Sequence, residues 1–200
     1  MEQGSQEWFA ARLGRVTASK VADVMTKTKS GYGAGRKNYM MELLCQRLTG
    51  TREESYTNAA MQRGTDLEPI ARGRYEIEND ILVDEIGLVS HRSIDNFAAS
   101  PDGLVGDEGL LEIKCPNTAT HITFLQTKKI PDKYQTQMTV QMICTERSWC
   151  DYVSFDDRLP ERLQYRCARF EFDEERAKEI TTEVELFLKE LDELIINLEK

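Results

Sequence analysis

Apolar positions along the chain follow two different periods, and the changes of period outline its organisation. Ile180, Val184, Phe187, Leu188, Leu191, Ile195 and Leu198 fall three or four apart, which makes one helical stripe behind Asp173 as N-cap. Tyr39 to Leu48 reads as another helix, and Val16 to Met25 as a short one capped by Thr17 or Ser19. Ala59 to Glu78 has helical composition; Pro69 is expected to kink or divide it, because proline has no N–H to bond the preceding turn. Ile81 to Val83, Gly87 to Val89, Asn96 to Ala99 and Leu110 to Lys114 are short apolar runs joined by turn residues, which predicts strands. Ile122 to Thr127 and Lys133 to Cys144 return to helix, and Trp149 to Phe155 and Leu163 to Phe170 read as two further strands. Lys27 to Arg36, rich in glycine and positive charge, reads as a loop. Helices, a sheet, helices again and a mixed end predict an α/β fold with a central mixed sheet flanked by helices. No repeat interrupts the 200 residues, so one domain over 1–200 is expected.

Composition narrows the class. Apolar residues are 40% and charged residues 30% of the chain, and no apolar run approaches a membrane span, so no membrane partner is expected. The first residues lack the basic-then-apolar order of a secretory signal, which leads to the expectation of a cytoplasmic protein. Cys45, Cys115, Cys144, Cys150 and Cys167 are scattered, without the grouping of a disulfide framework or a zinc site. A net charge of −9 argues at first against nucleic acid. Its distribution weakens that objection: residues 171–200 hold 11 acids and 4 bases, whereas residues 1–47 hold 8 bases and 4 acids. The local field of a cleft governs DNA binding, and the total charge does not.

Candidate chemistry lies in Ser100-Pro101-Asp102-Gly103 and Leu111-Glu112-Ile113-Lys114. Side chains alternate along a strand, so Glu112 and Lys114 project from one face and Ile113 from the other, into the core. If the Asp102 turn lies beside that strand, two carboxylates and one ammonium converge. Two carboxylates and a main-chain carbonyl form a hard oxygen site suited to Mg²⁺ or Mn²⁺. Taken singly, each element has an ordinary use, since aspartate in Pro-Asp-Gly is turn chemistry and a Glu-x-Lys pair on a strand often faces solvent. Two observations shift the balance. The strand is strongly apolar, so a charge there needs a partner, and the spacing matches the nuclease pattern PD-(D/E)xK.

Further motifs extend the match. Trp8 with Arg12-Leu13-Gly14, Val16-Thr17-Ala18-Ser19, Gly64 with Glu68, Ser100 to Leu104, Leu111 to Pro116, and Tyr134 with Gln137 occur in the order found in the phage lambda-type 5′→3′ exonucleases. Over nearly its whole length the chain resembles that family, also called YqaJ-like viral recombinases. The resemblance implies a restriction-endonuclease-like PD-(D/E)xK core and a processive, Mg²⁺-dependent 5′→3′ exonuclease on double-stranded DNA. It also implies two metal ions, with Mn²⁺ as a substitute, release of 5′-mononucleotides, and a 3′ strand left for annealing-type recombination. By the same resemblance Asp102, Glu112, the Ile113 carbonyl and Glu68 hold metal, and Lys114 handles the attacking water. Arg12, Ser19, Ser100 and Gln137 match a 5′-phosphate pocket, and Tyr134 is a further DNA contact. A homotrimeric ring around DNA and a single-strand annealing protein as partner are implied too. Without the resemblance, Ser19 reads as a helix cap and Arg12 as a surface charge.

Two enzymatic alternatives and one binding alternative compete with this reading. A RecB-like nuclease with an iron–sulfur cluster needs four grouped cysteines, which the chain lacks. A related PD-(D/E)xK endonuclease uses the same core. A non-catalytic DNA-binding recombination scaffold has no need of an intact Asp102, Glu112 and Lys114. His91 and His121 are too isolated in the sequence to assign.

Overall fold

The computed structural model describes residues 1–29, 31–52 and 58–200. Ser30, inside the stretch read as a loop, lies outside the described residues. Secondary structure begins with α1 (Gln6–Arg12), which has no buried residue and therefore no apolar stripe for sequence to reveal. The run Val16 to Met25 is not one helix. It is β1 (Val16–Thr17), a 3₁₀ turn (Ala18–Lys20) and α2 (Val21–Met25). The β-branched pair Val16-Thr17 is fully or nearly buried and pairs in parallel with Phe97-Ala98, a tertiary contact that overrides the helical reading. Thr17 precedes the turn but makes no side-chain cap.

The expected loop carries β2 (Lys27–Thr28) and β3 (Gly31–Tyr32), paired antiparallel, and then the start of α3 (Ala34–Thr49). α4 (Ala59–Asn79) is one continuous helix through Pro69. Pro69 and Thr65, whose carbonyl loses its donor, are both exposed, so water can serve that carbonyl.

The sheet strands are β4 (Val83–Asp84), β5 (Val89–Ser90), β6 (Phe97–Ala99), β7 (Gly103–Val105) and β8 (Gly109–Lys114). Two helices follow, α5 (Thr118–Thr127) and α6 (Asp132–Thr145), each longer than its apolar run. The chain ends with β9 (Trp149–Phe155), the single turn α7 (Glu161–Gln164), β10 (Tyr165–Glu171) and α8 (Glu174–Leu198). The strand read as Leu163 to Phe170 thus starts two residues later, after that turn.

The larger sheet runs β10-β9-β8-β7-β4, with β8 and β9 parallel and the other pairs antiparallel. A smaller sheet runs β1-β6-β5. This is the expected mixed sheet flanked by helices. One face of the larger sheet, through Leu111, Ile113 and Val153, packs on Leu67, Ala71 and Tyr75 of α4. The opposite face, through Leu110, Cys150 and Tyr152, packs on Phe124 of α5 and on Met138 and Met142 of α6.

The α8 stripe buries Ile180, Val184, Phe187, Leu188 and Leu191 against α2, α3 and α6, each contributing about 1.5–3 kcal/mol. Its last member, Leu198, is 64% exposed because the helix outruns its support. α8 also explains the uneven charge. Lys27 bonds Glu183 at 2.7 Å, Arg36 bonds Glu190 at 2.9 Å and Arg47 bonds Asp192 at 2.6 Å. The basic N-terminal part and the acidic tail neutralise each other across this contact. All five cysteines are free thiols, and among the described residues no helix is long and apolar enough to cross a membrane.

Candidate active site

β8 sets the geometry. Its alternation sends Leu111 and Ile113 into the α4-side core and Glu112 and Lys114 to the α6 side. Lys114 Nζ contacts Glu112 Oε1 directly. From α6, Gln137 Nε2 donates to the same oxygen at 2.6 Å, and Gln141 Nε2 donates to Oε2 at 2.6 Å. Glu112 is wholly buried, so these donors replace water around its carboxylate. The face shared by Gln137 and Gln141 is turned toward the sheet.

Asp102 reaches the same place from the turn before β7. Its N–H donates to the Leu111 carbonyl at 3.1 Å, and its Oδ2 accepts from the Ile113 N–H at 2.6 Å. The Pro-Asp-Gly turn is thereby stapled to the strand that bears Glu112 and Lys114. Glu68, on α4, completes the charged group and accepts from Arg72 at 3.2 Å. Desolvation, followed by the charge of Glu112, lifts the Asp102 proton affinity well above the ordinary carboxylate range. Desolvation also raises that of Glu68, against the pull of Arg72 and Lys114. Burial would lower the Lys114 value, but Glu112 and Asp102 outweigh it, so the ammonium holds its proton more tightly than usual.

Three acids face Lys114, and Arg72 divides its charge between Glu68 and Glu85, so the cluster keeps excess negative charge. Carboxylates that resist ionisation because they are buried, and lie beside one another, suit a hard divalent cation. Among the described residues, no three His, Cys, Asp or Glu side chains are grouped as a ready-made ligand set. In this arrangement Lys114 serves as the counter-charge of Glu112.

A second group lies next to the first, joined to it through Ser100, two residues before Asp102. Ser100 Oγ accepts from Trp8 Nε1 at 3.0 Å and from Arg12 Nη1 at 3.3 Å. Arg12 Nη2 donates to Thr17 Oγ1 at 3.2 Å, and its guanidinium stacks 4.2 Å from the Trp8 ring centroid. Ser19 and Lys20 line the same cavity as Trp8, Arg12 and Thr17. Ser19 is exposed and sits inside the 3₁₀ turn. The helix after it, α2, has only five residues and begins at Val21, so Ser19 is not its cap.

Residues 7–148 match the YqaJ-like viral recombinase domain. The chain belongs to that family. An alkaline exonuclease from Laribacter hongkongensis, LHK-Exo, is 59% identical, with a TM-score of 0.92 over 98% of this chain and 96% of that one. Its complex with dAMP superimposes with a TM-score of 0.93 at 60% identity. A phage-related exonuclease from Haemophilus somnus shares the fold, with a TM-score of 0.75 at 17% identity over 92% of this chain and 96% of that one. An uncharacterized protein of Acanthamoeba polyphaga mimivirus, R354, is 27% identical over 165 residues. That match takes in 76% of this chain but only 29% of the mimivirus protein, so the chain spans under a third of that curated relative's length.

Within this YqaJ-like PD-(D/E)xK fold, the expected residues form two neighbouring sets. Asp102, Glu112, Lys114 and the Ile113 main chain come together, and Glu68 is near enough to feel the charges of Lys114 and Glu112. Arg12 and Ser100 are bonded, and Ser19 shares their cavity. Gln137 does not line that cavity; its amide sits on Glu112. Tyr134 is half-buried, stacked 5.6 Å from Tyr152, with Lys114 Nζ 5.3 Å and Lys133 Nζ 4.7 Å from its ring centroid. Sequence reasoning gave no role at the site to Gln141, Thr17 or Trp8. His121 is fully buried between Ser154 Oγ at 2.7 Å and the Leu163 carbonyl at 2.8 Å, an internal tie between β9 and α7.

Proposed function

We propose that residues 1–200 act as one exonuclease domain that hydrolyses duplex DNA from a 5′-phosphorylated end. It releases 5′-mononucleotides and leaves the 3′ strand for annealing-type recombination. The observation that carries this reading is the junction of Asp102, Glu112 and Lys114 on β8, with the Arg12–Ser100 pair two residues from Asp102. The alkaline exonuclease LHK-Exo and its complex with dAMP, a nucleoside monophosphate, support the same class of reaction.

Asp102, Glu112, the Ile113 carbonyl and Glu68 would hold two Mg²⁺ ions, with Mn²⁺ as a substitute. Bound there, the metal supplies Lewis-acid polarisation of the scissile phosphate and a more acidic water. Lys114 keeps its proton and acts as a fixed positive charge, which orients the attacking water and stabilises charge developing on phosphorus-bound oxygens. Arg12 offers a planar fork of donors to the terminal phosphate, and Ser100 and Ser19 add hydroxyls. Gln137 is half-buried beside Glu112 and can turn one N–H toward that phosphate, while Tyr134 presents a ring to the DNA strand. Holding the 5′-phosphate next to the carboxylates favours cutting one nucleotide in from the end. A homotrimeric ring and a single-strand annealing partner complete the proposal; ring closure around the duplex would account for processivity.

The test is digestion of end-labelled linear duplex with and without Mg²⁺, beside a covalently closed circle. Shortening of the 5′-phosphorylated strand to mononucleotides, with the circle intact, is expected. Rapid loss of the closed circle would replace this reading with an endonuclease.

A further inference from the structure

α6 buries three polar side chains on its inner side. Two look after themselves: Thr136 and Thr139 donate to the carbonyls of Asp132 and Gln135 one turn earlier, at 3.1 and 2.8 Å. Gln141 reaches across to the sheet instead, and among the described residues its donor meets only Glu112 Oε2. The amide is completely buried, so it cannot be a DNA contact. Its Oε1 accepts from no donor among the described residues. A buried acceptor left without a partner is costly, and a methionine would fill the same space without that cost. Packing therefore does not explain this glutamine, whereas its N–H does.

The two oxygens of Glu112 are held differently. Oε1 is shared by Lys114 and Gln137, both partly exposed and both placed to serve substrate. Among the described residues Oε2 is held by Gln141 alone, from the core side. A neutral amide also fixes the carboxylate without cancelling its charge, as an arginine or lysine would, so the cluster keeps its excess negative charge for a cation. We propose that Gln141 is a positioning residue: it pins Oε2 of Glu112 and so fixes the orientation of the carboxylate that would hold metal. This rests on Glu112 being a carboxylate of the reactive centre.

The test uses the full chain with Gln141→Met, which keeps length and volume and removes the N–H. Three quantities are read: thermal unfolding, Mn²⁺ binding without DNA by electron paramagnetic resonance, and kcat against KM on 5′-phosphorylated duplex. Expected are a cooperative melt with a Tm lowered because Oε2 of the buried Glu112 loses its donor, an Mn²⁺ affinity weaker by about tenfold to a hundredfold, a kcat lowered by a similar factor, and an unchanged KM for ends. Gln141→Asn retains the amide one methylene short of Oε2, and should show the same losses; it carries the test if the methionine variant does not melt cooperatively. Wild-type Mn²⁺ affinity and kcat in a folded variant would overturn the proposal, as would a raised KM with kcat intact. Glu112→Gln separates the two levels. If it digests DNA like the wild type, the reading of the site fails and this inference fails with it. If it is inactive while Gln141→Met is unimpaired, only the inference fails.

Discussion

Glu112 and Asp151 are buried carboxylates on neighbouring parallel strands, yet their surroundings differ in kind. In the register of β8 and β9, Glu112 sits beside Tyr152 and Asp151 beside Leu111, so the two acids face opposite sides of the sheet. On the α4 side, Asp151 accepts two bonds from Arg169, both at 2.9 Å, and one from the buried Tyr75 hydroxyl at 2.8 Å. Arg169 in turn lies 3.6 Å over the Trp149 ring. That cluster is one anion, one cation and a neutral donor, closed and balanced. Glu112, by contrast, is met by one lysine and two amides, and Asp102 and Glu68 add negative charge that Arg72, shared with Glu85, does not cancel. A balanced charge cluster holds strands together, whereas an unbalanced one costs stability and is ready to bind something positive.

The largest expected effect breaks the comparison on the functional side. Lys114→Ala and Asp102→Asn should each lower turnover on 5′-phosphorylated duplex by about 10³-fold or more, because the first removes a positive charge aimed at the reacting phosphate and the second a carboxylate that would hold the metal. The proteins should remain folded by circular dichroism. Single-turnover digestion provides the measurement. Nucleolysis at near wild-type rate in either variant would mean that the charge imbalance has no catalytic use.

The next effect is on the structural side. Asp151→Ala strands the Tyr75 hydroxyl in the core and deprives Arg169 of its partner, and should cost about 3 kcal/mol in urea unfolding. Arg169 is half-exposed and can turn to water, which keeps the loss at the lower end for a broken buried pair. Turnover per folded molecule should be unaffected below the transition. A stable but inactive Asp151→Ala would place this cluster in the chemistry and erase the contrast.

Of these two clusters, only the one proposed as the reactive centre was legible, in part, in the sequence. Glu112 and Lys114 share a strand, so period-two alternation put them on one face, whereas their meeting with the Asp102 turn was a condition that the PD-(D/E)xK spacing favoured and that local patterning did not supply. Asp151 and Arg169 are 18 residues apart on paired strands, and Tyr75 comes from a helix 76 residues earlier, so no local period links them. Gln141 was hidden for a related reason, because a polar residue at helical spacing looks the same whether its face meets water or a carboxylate. The short elements were legible only in part: the runs Ile81 to Val83 and Gly87 to Val89 overlap β4 and β5 by one residue each, β7 is three residues long, and α1 buries nothing. The basic N-terminal stretch was legible as charge but not as destination, and the structure commits Lys27, Arg36 and Arg47 to the acids of α8.

The smallest effect sharpens the comparison most, because its sign is unusual. Without metal, Asp102→Asn should stabilise the fold by about 1–2 kcal/mol at neutral pH, although it all but abolishes activity. The asparagine side chain can still accept the Ile113 N–H through its oxygen and carries no charge into the crowded cluster. The pH dependence follows from the raised proton affinity of Asp102. Between the ordinary aspartate value and the folded value, the folded protein keeps a proton that the unfolded chain has released. Wild-type stability therefore falls as pH rises through that window, and the penalty stays constant above it. The Asp102→Asn variant has no proton to lose there, so its advantage should be absent at acid pH, grow through the window and then level off. Urea unfolding in EDTA across pH measures this directly. Saturating Mg²⁺ should reverse the order, since ligand at a hundred times its Kd adds about 2.7 kcal/mol to the wild type and little to a variant that cannot bind it. An Asp102→Asn variant less stable than the wild type at every pH in EDTA would mean that the Asp102 carboxylate is structurally satisfied, like Asp151, and that the cluster holds no charge in reserve for a cation.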